Sequence, residues 1–517
     1  MSRARVKSSS FSDEPSSPEP GAADVSAVEP ASRDVLVAIR NALILGASLL
    51  ATWSVGLLVR FFLPRILGPE RFGIFTFADS FAAISFVALG LGVETYIQKE
   101  IPVRPGHASD FFGGIVAVRV AMSALIFAAM IAVLALAHRP PAVQRMVLVF
   151  GAAQFLVVLN GNLAALLHAK RTVGKLAVIN VAAKILWGLG VGAALLAHVD
   201  LVGLAVAFLA AESARTLALL PLVRRHLGIR MIWDTRAVKA IVVASLPFYL
   251  NQMAITVYSK IDIGLVALLS NDVEIGWYGS AANLAGLSFL ISPLIGWVLL
   301  PLLSRAAARS EAEMFAIFRW TVRVLVLLTL PLALCICIGA DVWVRTLFGA
   351  TFLPATLSLR ILAPVLVLTY LAMIASTCLV LLGRAWTVVG ISFAGLLVDP
   401  ILNLLLVPPA MRWLGPGGAG AGAATSCVLA ETATTAALFV ALGARAVDRA
   451  NAVAIGKAIS CCLLVAGADV LLWPLGPARL VVDAAAYPAL LFAAGVVTAA
   501  DMNQAMGLIR GLRARGA

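Results

Sequence analysis

Residues 201–223 read LVGLAVAFLAAESARTLALLPLV, a run whose only charges are Glu212 and Arg215. About twenty mostly apolar residues, wound as a helix, cross the hydrocarbon core of a bilayer. Such a run cannot be a strand in an open sheet, because lipid offers no partner for unpaired backbone groups. Glu212 and Arg215 stand three residues apart and share one helix face, so they are expected to form an internal ion pair. The stretch therefore reads as a membrane helix with a small polar face.

Working outward, runs of the same kind fill the chain. Fourteen can be placed, from 41–63 to 480–502, in a sequence that is 62% hydrophobic and 13% charged, with a mean hydropathy of +1.00. Soluble domains carry about twice that share of charge. The expected class is an all-α polytopic membrane protein of about fourteen transmembrane helices. Residues 1–38 are rich in Ser, Pro and Glu and are expected to be a disordered cytoplasmic tail. No loop is long enough to fold as a soluble catalytic domain.

The net charge of +13 does not point to nucleic acid, because the basic residues sit between apolar runs rather than on one face. Counted by alternate segments, 25 Lys and Arg fall on the side holding the N-terminus, and 8 fall on the other side. The positive-inside rule then places both termini in the cytoplasm. The six cysteines lie in apolar runs with no histidine at ligand spacing, so no metal site or cofactor is expected.

The 201–223 run also has a counterpart. Gly203-Leu204-Ala205 through Ala211-Glu212 is echoed by Gly422-Ala423-Ala424 through Ala430-Glu431. Phe72-Gly73-Ile74-Phe75 is echoed by Ile275-Gly276-Trp277-Tyr278, and Thr172-Val173-Gly174 by Thr387-Val388-Val389-Gly390. Matches recurring in order, about 203 to 219 residues apart, mark a repeated six-helix unit. Six is even, so both copies share one orientation about an axis along the membrane normal. The expected division is a first bundle at 39–225, a second at 226–445 and two extra helices at 446–517. A cavity between the bundles would open to each side in turn as they rock.

Ordered stretches then resemble a known family. LGPERFGIFTFADSF at 67–81, SKIDIGLVALLSNDVEIGWYGSAANL at 259–284, PLLSR at 301–305 and the segment from Leu381 to Glu431 look like the polysaccharide-flippase (Wzx-type) branch of the multidrug/oligosaccharidyl-lipid/polysaccharide exporter superfamily. The resemblance covers about Asn41 to Leu475. It implies a fourteen-helix fold that carries undecaprenyl-diphosphate-linked oligosaccharide from the cytoplasmic to the periplasmic leaflet. It also implies partnership with polysaccharide polymerase and export machinery. The long polar N-terminal tail departs from the family pattern. The alternatives are a peptidoglycan-precursor flippase or a drug/cation antiporter of the same superfamily and, more remotely, a membrane glycosyltransferase or polymerase.

The intramembrane charges are the candidate site, because a charge in hydrocarbon needs water or a partner. Lys184, Arg215, Arg60 and Lys260 are candidate cavity cations for a diphosphate, which Arg holds through paired hydrogen bonds. Glu212, Asp399, Glu431 and Asp262 are candidate acids for H⁺ or Na⁺ coupling. Lys184 and Asp399 occupy nearly equivalent repeat positions, and opposite charges there are expected to face each other across the cavity. Lys260 and Asp262, two residues apart, are not expected to share a face. Arg119 and Arg323 are expected to snorkel to the cytoplasmic ends of their helices, and for Arg60 and Lys260 snorkelling to the outer ends is the alternative to a cavity role. Asn180, Asn251, Asn283 and Asn403 are candidate donors and acceptors for sugar. GPGGAGAG at 415–422 lacks the Gly-Lys-Ser/Thr ending of a phosphate-binding loop and reads instead as a close-packing helix start.

Overall fold

The computed structural model describes residues 28–94, 97, 108–169, 173–227, 235–287 and 292–496. Sixteen α-helices run through them, with no strand among the described residues. The first half holds α1 (Val28–Phe86), α2 (Ala108–Leu136), α3 (Pro141–Ala169), α4 (Val173–Leu196) and α5 (Leu201–Leu227). Next come α6 (Thr235–Leu269), α7 (Asp272–Ala285), α8 (Ser292–Arg309), α9 (Glu311–Ile338), α10 (Ala340–Leu347) and α11 (Ala355–Leu362). The chain continues with α12 (Val365–Leu381), α13 (Ala385–Leu414), α14 (Gly418–Leu442), α15 (Arg449–Leu471) and α16 (Arg479–Ala493).

Twelve segments are long and apolar enough to cross a membrane. One of them, Gly46–Gly90, has 45 residues. A helix of that length would extend about 65 Å, twice the hydrocarbon thickness. Gly68 breaks it, with φ +74° and ψ 171°, immediately before Pro69. The break divides it into two lengths, each close to the hydrocarbon thickness, and α7 and α8 are not among the twelve candidate spans. α1 begins at Val28, within the stretch expected to be a tail, and residues 1–27 lie outside the described residues.

Packing follows the chain in each half. α3 lies on α5, α5 on α4, and α4 on α1; in the other half α14 packs against α11, α12 and α13, and α6 against α13. α15 and α16 pack on each other and on α9 through Leu334, Ala458, Val465, Tyr487 and Leu491. The largest apolar core belongs to neither half alone. It joins Leu63, Phe72, Phe86 and Phe150 to Ile275, Phe348, Phe352 and Ala423.

That shared core is a seal at one end of the molecule, where the chain turns at Gly68 and α7 begins. Two glycines of the repeated motif make it close. A Cβ on Gly73 would fall on the carbonyl oxygen of Asp272, and one on Gly276 would fall on that of Pro69. The two glycines at corresponding positions of the echoed motifs thus make reciprocal close contacts. Around this contact Arg139 pairs with Asp272 at 2.8 Å, and Arg65 and Trp277 donate to the carbonyls of Thr346 and Thr351. The edge of the Phe72 ring meets that of Phe352, with centroids 6.3 Å apart.

The GPGGAGAG stretch enters the same seal. Gly417 adopts φ +85° and starts α14, and a Cβ on Gly418 or Gly422 would lie 2.6 Å from Ala410 O or 2.7 Å from Val407 Cα. The expected close packing is what these glycines provide. The free amides at a helix start favour an anion, and here Glu274 supplies it. Its Oε1 accepts from Gly417 N at 2.7 Å and its Oε2 from Gly420 N at 3.4 Å.

Tryptophans mark the interfaces on the outer surface. On α13, Trp386 is 65% exposed and Trp413 is 84% exposed, one near each end of the helix. Trp amphipathicity favours the level of the lipid headgroups.

Candidate functional site

Two polar clusters occupy the interior, one in each half. The first is built on α3, α4 and α5. Glu212 and Arg215 do pair, at 3.3 Å. Asn160 of α3 donates to Glu212 Oε2 at 2.9 Å and accepts from Thr216 Oγ1 at 2.9 Å, while Arg215 Nε donates to Asn180 Oδ1 at 3.1 Å. Arg215 thereby uses two of its five N–H donors. Asn160, fully buried, went unnoticed as a sequence feature because a single amide in an apolar run carries no spacing signal.

Lys184 lies one helix turn from Trp187 and places its ammonium 3.7 Å from the indole centroid. Its charged surroundings are Arg60, Glu212, Asp79 and Arg215. Lys260 of α6 reaches Asp79 of α1 at 3.4 Å, which carries the set across to the second half. The four cations named from sequence thus converge, with Asp79, Glu212 and, beside Arg215, Glu94, on one half-exposed region where cations outnumber acids by one. Four cations forced this close cost Coulomb energy, and an entering anion offsets it.

The second cluster is acidic and dry. Asp262 Oδ2 accepts from Tyr278 at 2.7 Å, and its Oδ1 accepts from Asn403 at 2.9 Å. Asn403 also donates to the carbonyl of Asp399 at 3.0 Å. The carboxyl groups of Asp262 and Asp399 are themselves in hydrogen-bond contact. Asp399 is 1% exposed, and its Oδ2 has no partner, nor has Asn403 Oδ1. No Lys or Arg pairs with either acid among the described residues. Two touching carboxylates cannot both stay charged without a proton or a cation. Glu431 stands beside them and accepts from Thr369 at 2.9 Å.

Several expectations from sequence end differently. Lys184 and Asp399 do not meet: one faces the cationic region and the other Asp262. Lys260 and Asp262 do part company, as their spacing requires. Arg119 does not snorkel. It is buried and donates to the carbonyls of Leu89 and Gly90 at 2.7 and 2.8 Å, where the second crossing frays into a 3-10 turn. Arg323 donates to the carbonyl of Val496 at 3.0 Å. Asp399 precedes Pro400 inside a continuous helix, so the proline does not end α13. Of the amides expected to serve sugar, Asn180 and Asn403 are held by Arg215 and Asp262, Asn283 is half-buried, and the Asn251 side chain lies outside the described residues.

The arrangement agrees with sequence and structure comparisons. The family model described as "Polysaccharide biosynthesis protein" matches residues 62–357, more than half of the chain. The chain belongs to that family. A search of curated proteins returned no match. Among solved structures, the chain is similar to an inward-facing multidrug resistance MATE family transporter of the MOP superfamily, at 15% identity. That match covers 77% of this chain and 98% of the transporter, with a TM-score of 0.58. It is also similar to the lipid II flippase MurJ in an inward closed conformation, at 12% identity, covering 84% of this chain and 97% of MurJ, with a TM-score of 0.57. A MATE protein in the straight conformation matches at 17% identity over 79% of this chain and 96% of its own, with a TM-score of 0.53. At these identities the likeness is one of fold. The chain is a multi-pass membrane protein of a polysaccharide biosynthesis family and shares the fold of these structures.

Proposed function

We propose that this chain flips an undecaprenyl-diphosphate-linked oligosaccharide from the cytoplasmic to the periplasmic leaflet of a bacterial inner membrane. The observation that carries the reading is the convergence of Lys184, Arg215, Arg60 and Lys260 on one region where cations outnumber the acids Asp79, Glu94 and Glu212. A diphosphate brings about two negative charges, and Arg215 has donors left to hold its oxygens. The sugars would occupy the water between the halves, and the polyprenyl tail would remain in lipid. On the orientation assigned by loop charge, both termini are cytoplasmic and the Gly73–Gly276 seal faces outward. The two six-helix bundles would rock about that contact, with α15 and α16 outside them. The Asp262–Asp399 pair, with Asn403 and Glu431, would take up H⁺ or Na⁺ and couple the rocking to an ion gradient.

The test is translocation in proteoliposomes. A labelled polyprenyl-diphosphate oligosaccharide is placed in one leaflet, and its arrival in the other is followed with an impermeant lectin or glycosidase. Wild type should carry it, and Lys184→Ala with Arg215→Ala should lose at least tenfold in rate. Full rate without the two cations would sink the reading. Transport of a cationic drug, indifferent to the same substitutions, would replace it with the antiporter reading.

A further inference from the structure

Outside both clusters, the last two helices hold a third set of charges that neither the proposed flippase cycle nor the family match uses. Its centre is Arg479 at the start of α16, 2% exposed. Arg479 Nη2 donates to Asp341 Oδ1 of α10 at 2.6 Å and to the carbonyl of Ile338 at 3.2 Å. Its Nε lies 2.8 Å from Asp469 Oδ1 of α15, and its guanidinium stacks 4.2 Å from the Trp473 ring centroid. Arg360 of α11 also reaches Asp341, at 3.4 Å. The cluster fastens the α15–α16 hairpin to α9, α10 and α11.

Asp483, one turn along α16 from Arg479, is the group left over. It is 2% exposed, and neither of its oxygens accepts a hydrogen bond from any described donor. Its carboxyl group is in hydrogen-bond contact with that of Asp469. The other titratable groups facing the site are Cys337 of α9, Cys461 and Cys462 of α15, and Tyr487 of α16, whose hydroxyl touches Cys462. None of the four carries a positive charge that could balance an acid. Among the described residues the charged groups here are Asp341, Asp469 and Asp483 against Arg360 and Arg479. Acids outnumber bases by one, and around the buried Arg479, Asp469 and Asp483 an uncompensated charge is strongly unfavourable. The carboxyl groups of Asp469 and Asp483 touch, which leaves no space between them for a metal ion and its ligands. A shared proton fits the contact and completes the count.

We propose that the Asp469–Asp483 pair binds one proton, held between the two carboxyl groups, and that this proton is part of what docks the C-terminal hairpin on the rest of the fold. With it, the five-group cluster is neutral. Without it, two touching carboxylates repel inside the α15–α16 contact and the hairpin loosens. The site is separate from the Asp262–Asp399 pair and makes no demand on the cargo.

Infrared difference spectroscopy on the full chain in nanodiscs tests the proposal directly. Wild type minus Asp483→Asn at pH 5 should show the C=O stretch of one protonated carboxyl per chain, the same in sodium chloride and in choline chloride, and the band should fade as pH is raised. Absence of that band, or its appearance only when sodium is withdrawn, would overturn the proposal. Hydrogen exchange supplies a second readout. Residues 449–493 of wild type should lose protection as pH is raised, while Asp483→Asn, which keeps a neutral side chain at every pH, should not. Equal loss in both proteins would count against the docking role. Should Asp483→Asn fail to fold, Asp483→Glu must shift the same band, and an unshifted band would again overturn the assignment.

Discussion

The two halves carry a glutamate at matching positions of the repeat, Glu212 on α5 and Glu431 on α14, and treat it in opposite ways. Three residues beyond Glu212 stands Arg215; three residues beyond Glu431 stands Thr434. Glu212 is consequently ion-paired in a half-exposed cationic region. Glu431 is buried, receives the hydroxyls of Thr369 and Tyr258 rather than a cation, and sits beside the Asp262–Asp399 pair. On the proposed reading, the half with Arg215 would suit an anion and the other half a cation. The difference teaches that a repeat conserves where side chains lie more faithfully than what charge they bear.

The comparison breaks most visibly at Arg215. Arg215→Ala leaves Glu212 with only Asn160 for support, and stability should fall by about 3 kcal/mol, read as a lower Tm. Transport should fall with it. Adding Glu212→Gln removes the orphaned charge and should recover most of the stability but none of the transport. A double variant that transports normally would mean that the cation serves folding alone.

Asp399→Asn is the matching experiment in the other half. Asn mimics a carboxyl group kept neutral, so the fold should survive within about 1 kcal/mol. Transport should lose its response to an imposed H⁺ or Na⁺ gradient, measured in the same proteoliposomes. Persistence of that response would move the coupling site elsewhere.

The contact between the halves sharpens the comparison next. Because Gly73 and Gly276 meet reciprocally, Gly73→Ala and Gly276→Ala should each destabilise the sealed form by about 1–3 kcal/mol, and by similar amounts. Accessibility of a cysteine placed at the seal would report it, and strongly unequal effects would deny the symmetric contact. Glu274→Gln should cost least, about 1 kcal/mol, since the amide oxygen can keep the 2.7 Å bond from Gly417 N and only the 3.4 Å contact with Gly420 N is lost.

Much of this was legible in the sequence, for identifiable reasons. Hydrophobic length determines crossings, so the helical spans could be placed along the chain. The Glu212–Arg215 pair was readable because helix geometry dictates which residues share a face. What escaped depended on neighbours distant in the chain. Arg119 sits close to a helix end in sequence, yet the frayed carbonyls of Leu89 and Gly90 hold it inside. Arg479 read as a loop charge, but Asp341 reaches it from 138 residues away. Lys184 and Asp399 were expected to oppose each other because they occupy similar positions. Corresponding positions meet at Gly73 and Gly276, whereas these two side chains go to separate clusters.

Helix α13 has a consequence of its own. Trp386 and Trp413 are separated by about 40 Å of helix, the depth of a bilayer with its headgroups. A rod tethered at both water interfaces resists sliding along the membrane normal and is left with swivelling about its waist. Asp399 stands 13 residues from one tryptophan and 14 from the other, at that waist. The point that moves least is where the acid pair sits, so the ends of the lever can sweep while its fulcrum keeps the geometry an ion would recognise.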